Sequence, residues 1–109
     1  MKNLLSIICI TVLFSSGNLL SAQPGYKVVN QIHLEGDGGW DYLTVDEAAG
    51  RLYVSHASMA LVVDLKTGKQ IGEIADTNGI HGIALAPSLN KGFTSDGRDN
   101  SVTVFDLKT

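Results

Sequence analysis

Asp64-Leu65-Lys66-Thr67 occurs a second time as Asp106-Leu107-Lys108-Thr109, 42 positions further along a chain of 109 residues. Each copy ends a short apolar run, and two earlier runs align in the same order. The aligned pairs are 40–46 with 81–87, 51–55 with 91–95 and 61–67 with 102–109. The offset between equivalent positions is 41 at Trp40, 40 at Tyr53 and 42 at Asp64. The sequence therefore contains a repeat of about 40 residues whose length changes fall in loops.

The aligned runs have the composition of β-strands. They are short, rich in Val, Ile, Leu and aromatic residues, and bounded by turn formers such as residues 35–39 and 76–79. No stretch after residue 22 shows a convincing apolar period of 3.6 residues. A repeat in the forties built from short strands is typical of a β-propeller blade. We therefore expect an all-β fold. Two unrelated hairpins that share a tetrapeptide are disfavoured because three runs align in order.

The order of the runs gives a more detailed expectation. Residues 40–74 should form one complete four-stranded blade, residues 81–105 should form three strands of a second, and residues 27–34 should form an outer strand ahead of both. An outer strand from the N-terminus can complete the last blade of a closed propeller. Propellers close with roughly four to eight blades. Residues 23–109 are thus expected to be the N-terminal part of a longer propeller, and self-assembly into a ring is the alternative.

Residues 1–22 have the layout of a secretory signal peptide. Lys2 precedes an apolar stretch over residues 4–14, which is followed by polar residues and by the small Ala22. The apolar stretch is well short of the ~20 residues that a membrane-spanning helix needs. We expect cleavage after Ala22, with Gly17 and Ser21 as alternatives, and export to the periplasm or the extracellular space without an integral membrane segment.

Charge and residue spacing argue against several classes of function. The net charge is −3 and no Lys/Arg cluster occurs, which disfavours nucleic-acid binding. The only cysteine lies in the predicted signal peptide, and His33, His56 and His81 lack the short spacings of metal ligands. No nucleophile elbow and no nucleotide-binding glycine motif is present. We expect no metal, no cofactor and no catalytic residues in this chain.

The motif Tyr53-Val54-Ser55-His56 resembles the Tyr-Val-Thr-Asn signature of the YVTN-repeat (YncE-like) β-propellers, and Val62 to Gly68 resembles the strand and turn that follow it there. The second repeat departs from the signature, with Phe93-Thr94-Ser95-Asp96 in its place. The resemblance covers about residues 26–109. It implies a seven-bladed propeller exported to the periplasm or cell surface, usually with no assigned activity. Related propellers include sugar lactonases and the heavy subunits of quinoprotein amine dehydrogenases.

Candidate binding residues follow from the loops that would surround the channel on one face of a propeller. These residues are Trp40, Asp41, His56, His81 and Arg98. The 41-residue offset makes Trp40 and His81 equivalent, so that an aromatic face for stacking and a titratable imidazole would lie on one surface. Packing between blades for Trp40 and a loop hydrogen bond for His81 is the alternative, and for this pair it is the favoured one.

Two functions remain open. The first is a non-catalytic exported propeller that binds a small ligand or a protein partner on its channel face. The second is the N-terminal part of a propeller enzyme such as a lactonase or a dehydrogenase subunit, whose catalytic residues would come from other blades. The architecture alone does not decide between them, because one fold hosts many chemistries. The sequence favours the binding or scaffold role.

Overall fold

The computed structural model describes residues 25–108. The predicted signal peptide, residues 1–22, lies outside this range. No helix within the described range is long and apolar enough to cross a membrane.

The described chain forms two antiparallel sheets in chain order. The first sheet contains β1 (Trp40–Asp46), β2 (Arg51–His56), β3 (Met59–Asp64) and β4 (Lys69–Ile74). The second contains β5 (Ile80–Ala86), β6 (Lys91–Asp96) and β7 (Ser101–Asp106), with a short 3-10 helix, Pro87–Leu89, between β5 and β6. The prediction of an all-β fold, with four strands followed by three, is confirmed. The two sheets do not close into a ring.

The expected outer strand at residues 27–34 is wrong for this structure. These residues form no strand, although Ile32 and Leu34 keep the alternation of a strand and are half-buried. Their side chains pack on the face of the first sheet, against the cluster of Val54, Leu61 and Val63. Backbone that lies over a sheet face has no neighbouring strand with which to form ladder hydrogen bonds. Residues 27–34 thus have the apolar alternation of a strand, but within the described residues no neighbouring strand pairs with them.

The two sheets repeat one irregularity at the same place. Register shifts separate Trp40 from Leu43 in β1 and Ile80 from Ile83 in β5, each a bulge of the kind that re-aims strand ends. In the first sheet the backbone N–H of Tyr42 donates to the buried Ser55 hydroxyl, at 2.6 Å. In the second sheet the N–H of Gly82 donates to Ser95 in the same way, at 2.8 Å.

The shared register also corrects the equivalence of Trp40 and His81. Trp40 pairs with His56, whereas Ile80 pairs with Asp96, so the offset in these strands is 40 rather than 41. Trp40 is thus equivalent to Ile80, and Asp41 is equivalent to His81. The sequence alignment set Leu43 against Ala84, a one-residue slip, whereas an offset of 40 pairs Leu43 with Ile83 and preserves the apolar alternation.

A buried apolar cluster joins the sheets. Tyr53 and Ala60 of the first sheet pack with residues of the second, namely Ile80, Ile83 and Leu107. Two hydrogen bonds cross the same interface: Thr44 donates its hydroxyl to the Ile83 carbonyl at 2.8 Å, and Arg51 donates to the Leu107 carbonyl at 2.5 Å. Apolar burial is the main favourable term in such contacts, so this cluster fixes how the sheets face each other.

The first copy of the repeated tetrapeptide forms a turn. Asp64 accepts hydrogen bonds from the Thr67 hydroxyl at 2.8 Å and from its backbone N–H at 2.7 Å. These bonds favour the carboxylate and hold the pKa of Asp64 below its ordinary value of 3.8. The backbone N–H of Lys108, with help from Asn90, likewise lowers the pKa of Asp106. The recurring Asp thus has a structural role at the end of the third strand of each repeat.

A substitution at Gly92 tests the packing inside the second sheet. A Cβ at this position would overlap the ring of Phe105, its partner across the ladder. We expect Gly92→Ala to lower the free energy of unfolding by about 1–3 kcal/mol through overpacking. The control is Gly72→Ala, where a Cβ would approach Val62 at an ordinary 3.9 Å. Urea denaturation of both variants measures the effect, and equal stability of the two would contradict this packing.

The pH dependence of stability tests the role of Asp64 in the turn. Since its pKa is lower in the folded state than 3.8, its contribution to stability is complete well above pH 3.8 and is lost as the pH falls through the folded value. We expect Asp64→Ala to lower the urea midpoint at neutral pH, and the gap from wild type to narrow below pH 3.8. Asp37→Ala, an exposed carboxylate before β1, serves as the control. A gap that is the same at all pH values would rule out the carboxylate as the cause.

Candidate ligand-binding groove

A groove of about 610 Å³ opens where the loops of the two sheets meet. It is lined by four of the predicted site residues, Trp40, Asp41, His81 and Arg98. They come from the start of β1, the start of β5 and the β6–β7 loop. Glycines line much of the rest of the groove, at positions 38, 39, 79 and 97. Residues far apart in the chain are thus brought to one surface by the packing of the sheets.

Trp40 is held by His56. The two rings stack with centroids 3.8 Å apart and planes inclined by 15°. His56 is buried, with 4% of its surface exposed, and its Nδ1 donates to the Gly39 carbonyl at 3.2 Å. Trp40 keeps 46% of its surface exposed. His56 therefore does not line the groove as predicted but supports the indole from behind, which leaves Trp40 exposed to the groove as a fixed aromatic surface.

The loop before β1 reaches His56 only because it is rich in glycine. Gly36 has φ +131°, and a Cβ there would lie 2.5 Å from His56 Nε2. A side chain at this position would be strained by its backbone and would also collide with the imidazole. The Gly36-Asp37-Gly38-Gly39 stretch, which the sequence marks only as a turn, thus leaves room for the imidazole that pairs with Trp40 across β1 and β2.

His81 and Asp41 form a close pair across the two sheets. His81 Nδ1 lies 2.5 Å from Asp41 Oδ2, and both side chains are partly exposed. Because a carboxylate accepts hydrogen bonds, Nδ1 carries the proton in this contact. In the neutral ring Nε2 is then an acceptor. The pair occupies equivalent positions of the two repeats, so the register that corrected the sequence alignment also accounts for their meeting.

Arg98 provides the positive charge of the groove. Its backbone N–H donates to the Asn78 carbonyl at 3.1 Å, and the Gly97 N–H donates to the Gly79 carbonyl at 2.9 Å. These bonds dock the β6–β7 loop against the turn before β5. Within residues 25–108 the Arg98 guanidinium makes no ion pair with a carboxylate. The side chain is exposed, and its charge is available to an anionic group.

Asp96 lies beside this loop but belongs to the core. It is 1% exposed and accepts hydrogen bonds from two hydroxyls, Thr94 at 2.7 Å and Thr103 at 2.6 Å. A buried carboxylate needs such partners to offset its lost hydration. No group of three or more potential metal-ligating side chains occurs in the part of the chain that the structure describes.

Sequence reasoning missed Ala57, Ser58 and Ile80, which also line the groove. Ile80 was missed because the alignment made His81 the equivalent of Trp40. Comparisons with known protein families, with curated proteins and with solved structures gave no match. The groove is therefore interpreted from its own geometry.

Trp40 is the only tryptophan in the sequence, so its fluorescence reports on the stack. Removing the supporting ring exposes the second face of the indole. We expect His56→Ala to increase quenching of the emission by acrylamide and to shift the emission to longer wavelength. Lys66→Ala, at an exposed side chain in the β3–β4 turn, is the control and should change neither. Unchanged quenching in His56→Ala would show that the two rings are not stacked in solution.

Proposed function

We propose that this chain is part of an exported β-propeller repeat protein that binds a small ligand in the groove between its first two repeats. The observation that carries the proposal is the meeting of Trp40, Asp41, His81 and Arg98 in one groove. Export is supported by the signal-peptide pattern of residues 1–22. The propeller architecture is supported by two successive antiparallel sheets with the same strand order and the same bulge.

The chemistry of the groove suits a ring-shaped ligand with an anionic group. Trp40 offers an aromatic face that is already held in place, so little conformational entropy is lost on stacking. Arg98 offers a guanidinium that can donate two parallel hydrogen bonds to a carboxylate. Asp41 and His81 add an acceptor and a switchable donor or acceptor at the side. A sugar ring that carries a carboxylate satisfies all three features.

Glucuronate is a suitable first probe, and glucose is its neutral counterpart. We expect glucuronate to quench Trp40 fluorescence saturably and to bind more tightly than glucose. Arg98→Ala should weaken glucuronate binding by about tenfold, because hydrogen bonds to charged groups contribute ~1.5–3 kcal/mol. The same substitution should leave glucose binding unchanged.

Lys66→Ala is the matched control, since Lys66 is an exposed cation in the β3–β4 turn, away from the groove. Isothermal titration calorimetry with Trp40→Ala then tests the stacking contribution without relying on fluorescence. Glucuronate that does not bind, or that binds Trp40→Ala as tightly as the wild type, would refute the proposed binding role of the groove.

An enzymatic role is the second candidate and is favoured by one observation, the His81–Asp41 pair. A carboxylate that orients an imidazole is a common arrangement for general-base catalysis. Including a sugar lactone in the same titration separates the two roles. A lactonase would hydrolyse it faster than the spontaneous rate, whereas a binding protein would leave it intact.

A further inference from the structure

Each sheet has one apolar face that the other sheet does not cover. On the second sheet Ala84, Phe93 and Val104 are partners across three strands and so share a face, from which Val104 is 56% exposed. On the first sheet Leu43 and Val45 lie on the face opposite Tyr53 and Ala60, beside the part that Ile32 and Leu34 cover, and are 64% and 55% exposed. Apolar faces of this kind mark interaction surfaces in soluble proteins.

The repeat indicates what fits on these two faces. Phe93 and Val104 are the equivalents of Tyr53 and Val62, which the first sheet uses to contact the second. Leu43 and Val45 are the equivalents of Ile83 and Leu85, which the second sheet uses to contact the first. The free face of the second sheet therefore repeats the surface that the first sheet contributes to the internal interface. The free face of the first sheet repeats the surface that the second sheet contributes. The two free faces are complementary to each other by the same packing that already joins the sheets.

We infer that copies of this chain associate head to tail. The free face of the second sheet in one copy packs on the free face of the first sheet in the next, and this contact repeats the internal one. Such an interface is heterologous, so it generates rings or open filaments rather than two-fold dimers.

Residues 27–34 fit the same arrangement. In the internal interface β4 lies beside Phe105, the equivalent of Val63. At the free face of the first sheet, Ile32 and Leu34 lie against Val63. This segment thus occupies, relative to the first sheet, the place that β4 occupies relative to the second.

Within the described residues β7 pairs only with β6 and has one free edge. Docking the second sheet of a neighbouring copy would bring this edge to residues 27–34. The segment could then pair as the fourth strand of the neighbour's sheet, by the strand addition that exposed sheet edges favour. The strand predicted at these residues would form across the contact between copies.

Light scattering after size-exclusion chromatography tests the inference over a range of concentrations. The wild-type chain should shift from monomer to higher mass as concentration rises. Val45→Glu and Val104→Glu each place a charge on one free face at an already exposed position, and each variant alone should remain monomeric. An equimolar mixture of the two should form a complex of twice the monomer mass and nothing larger, because each variant retains the face that the other has lost.

Leu89→Glu is the control, at an exposed side chain in the short helix away from both faces, and it should associate like wild type. Circular dichroism of the variants checks that the sheets are intact, and formation of the mixed complex itself requires both partners to be folded. A wild-type chain that stays monomeric at every concentration would overturn the inference and leave the faces to further sheets of the same polypeptide. Dimers formed by either single variant alone would overturn it as well.

Discussion

The apolar contact between the two sheets is the interaction on which the rest of the structure depends. Tyr53 and Ala60 are buried only because Ile80, Ile83 and Leu107 cover them. The groove has no existence within a single repeat, since Asp41 and Trp40 come from one sheet and His81 and Arg98 from the other. Any change that separates the sheets would also separate the His81–Asp41 pair. Stability and the candidate binding surface are therefore coupled through one small core.

Much of the fold could be predicted because strand patterning is local. The alternation in residues 43–45 and 52–54, and the turn formers around Gly50 and Gly68, are visible in the sequence and correspond to the observed strand boundaries. Residues 27–34 have the same alternation and yet form no strand, because pairing requires a neighbour that alternation cannot reveal. Whether such a segment pairs as a strand or packs on the face of a sheet depends on its tertiary contacts.

The candidate site was predictable in composition but not in arrangement. Loop position was enough to select Trp40, Asp41, His81 and Arg98. It could not show that His56 lies behind Trp40, because the stack depends on the register that pairs the two residues across β1 and β2. Nor could it show that Asp41 meets His81, because the sequence alignment was one residue out of register in the first strand of each repeat. Long-range geometry of this kind is set by strand register, because a slip of one residue moves every side chain to the other face of the sheet.

The serine hydroxyls at positions 55 and 95 make the strand geometry of each repeat independent of its loops. Each hydroxyl accepts a hydrogen bond from the backbone at the bulge of its own sheet, so this contact fixes the strands whatever the neighbouring loops contain. The loop after β2 spans two residues, and the equivalent loop after β6 spans four and carries Arg98, yet the strands keep the same register. A duplicated unit of this kind can change its loops freely. Successive copies can thus contribute different chemical groups to a shared surface while the scaffold is inherited unchanged.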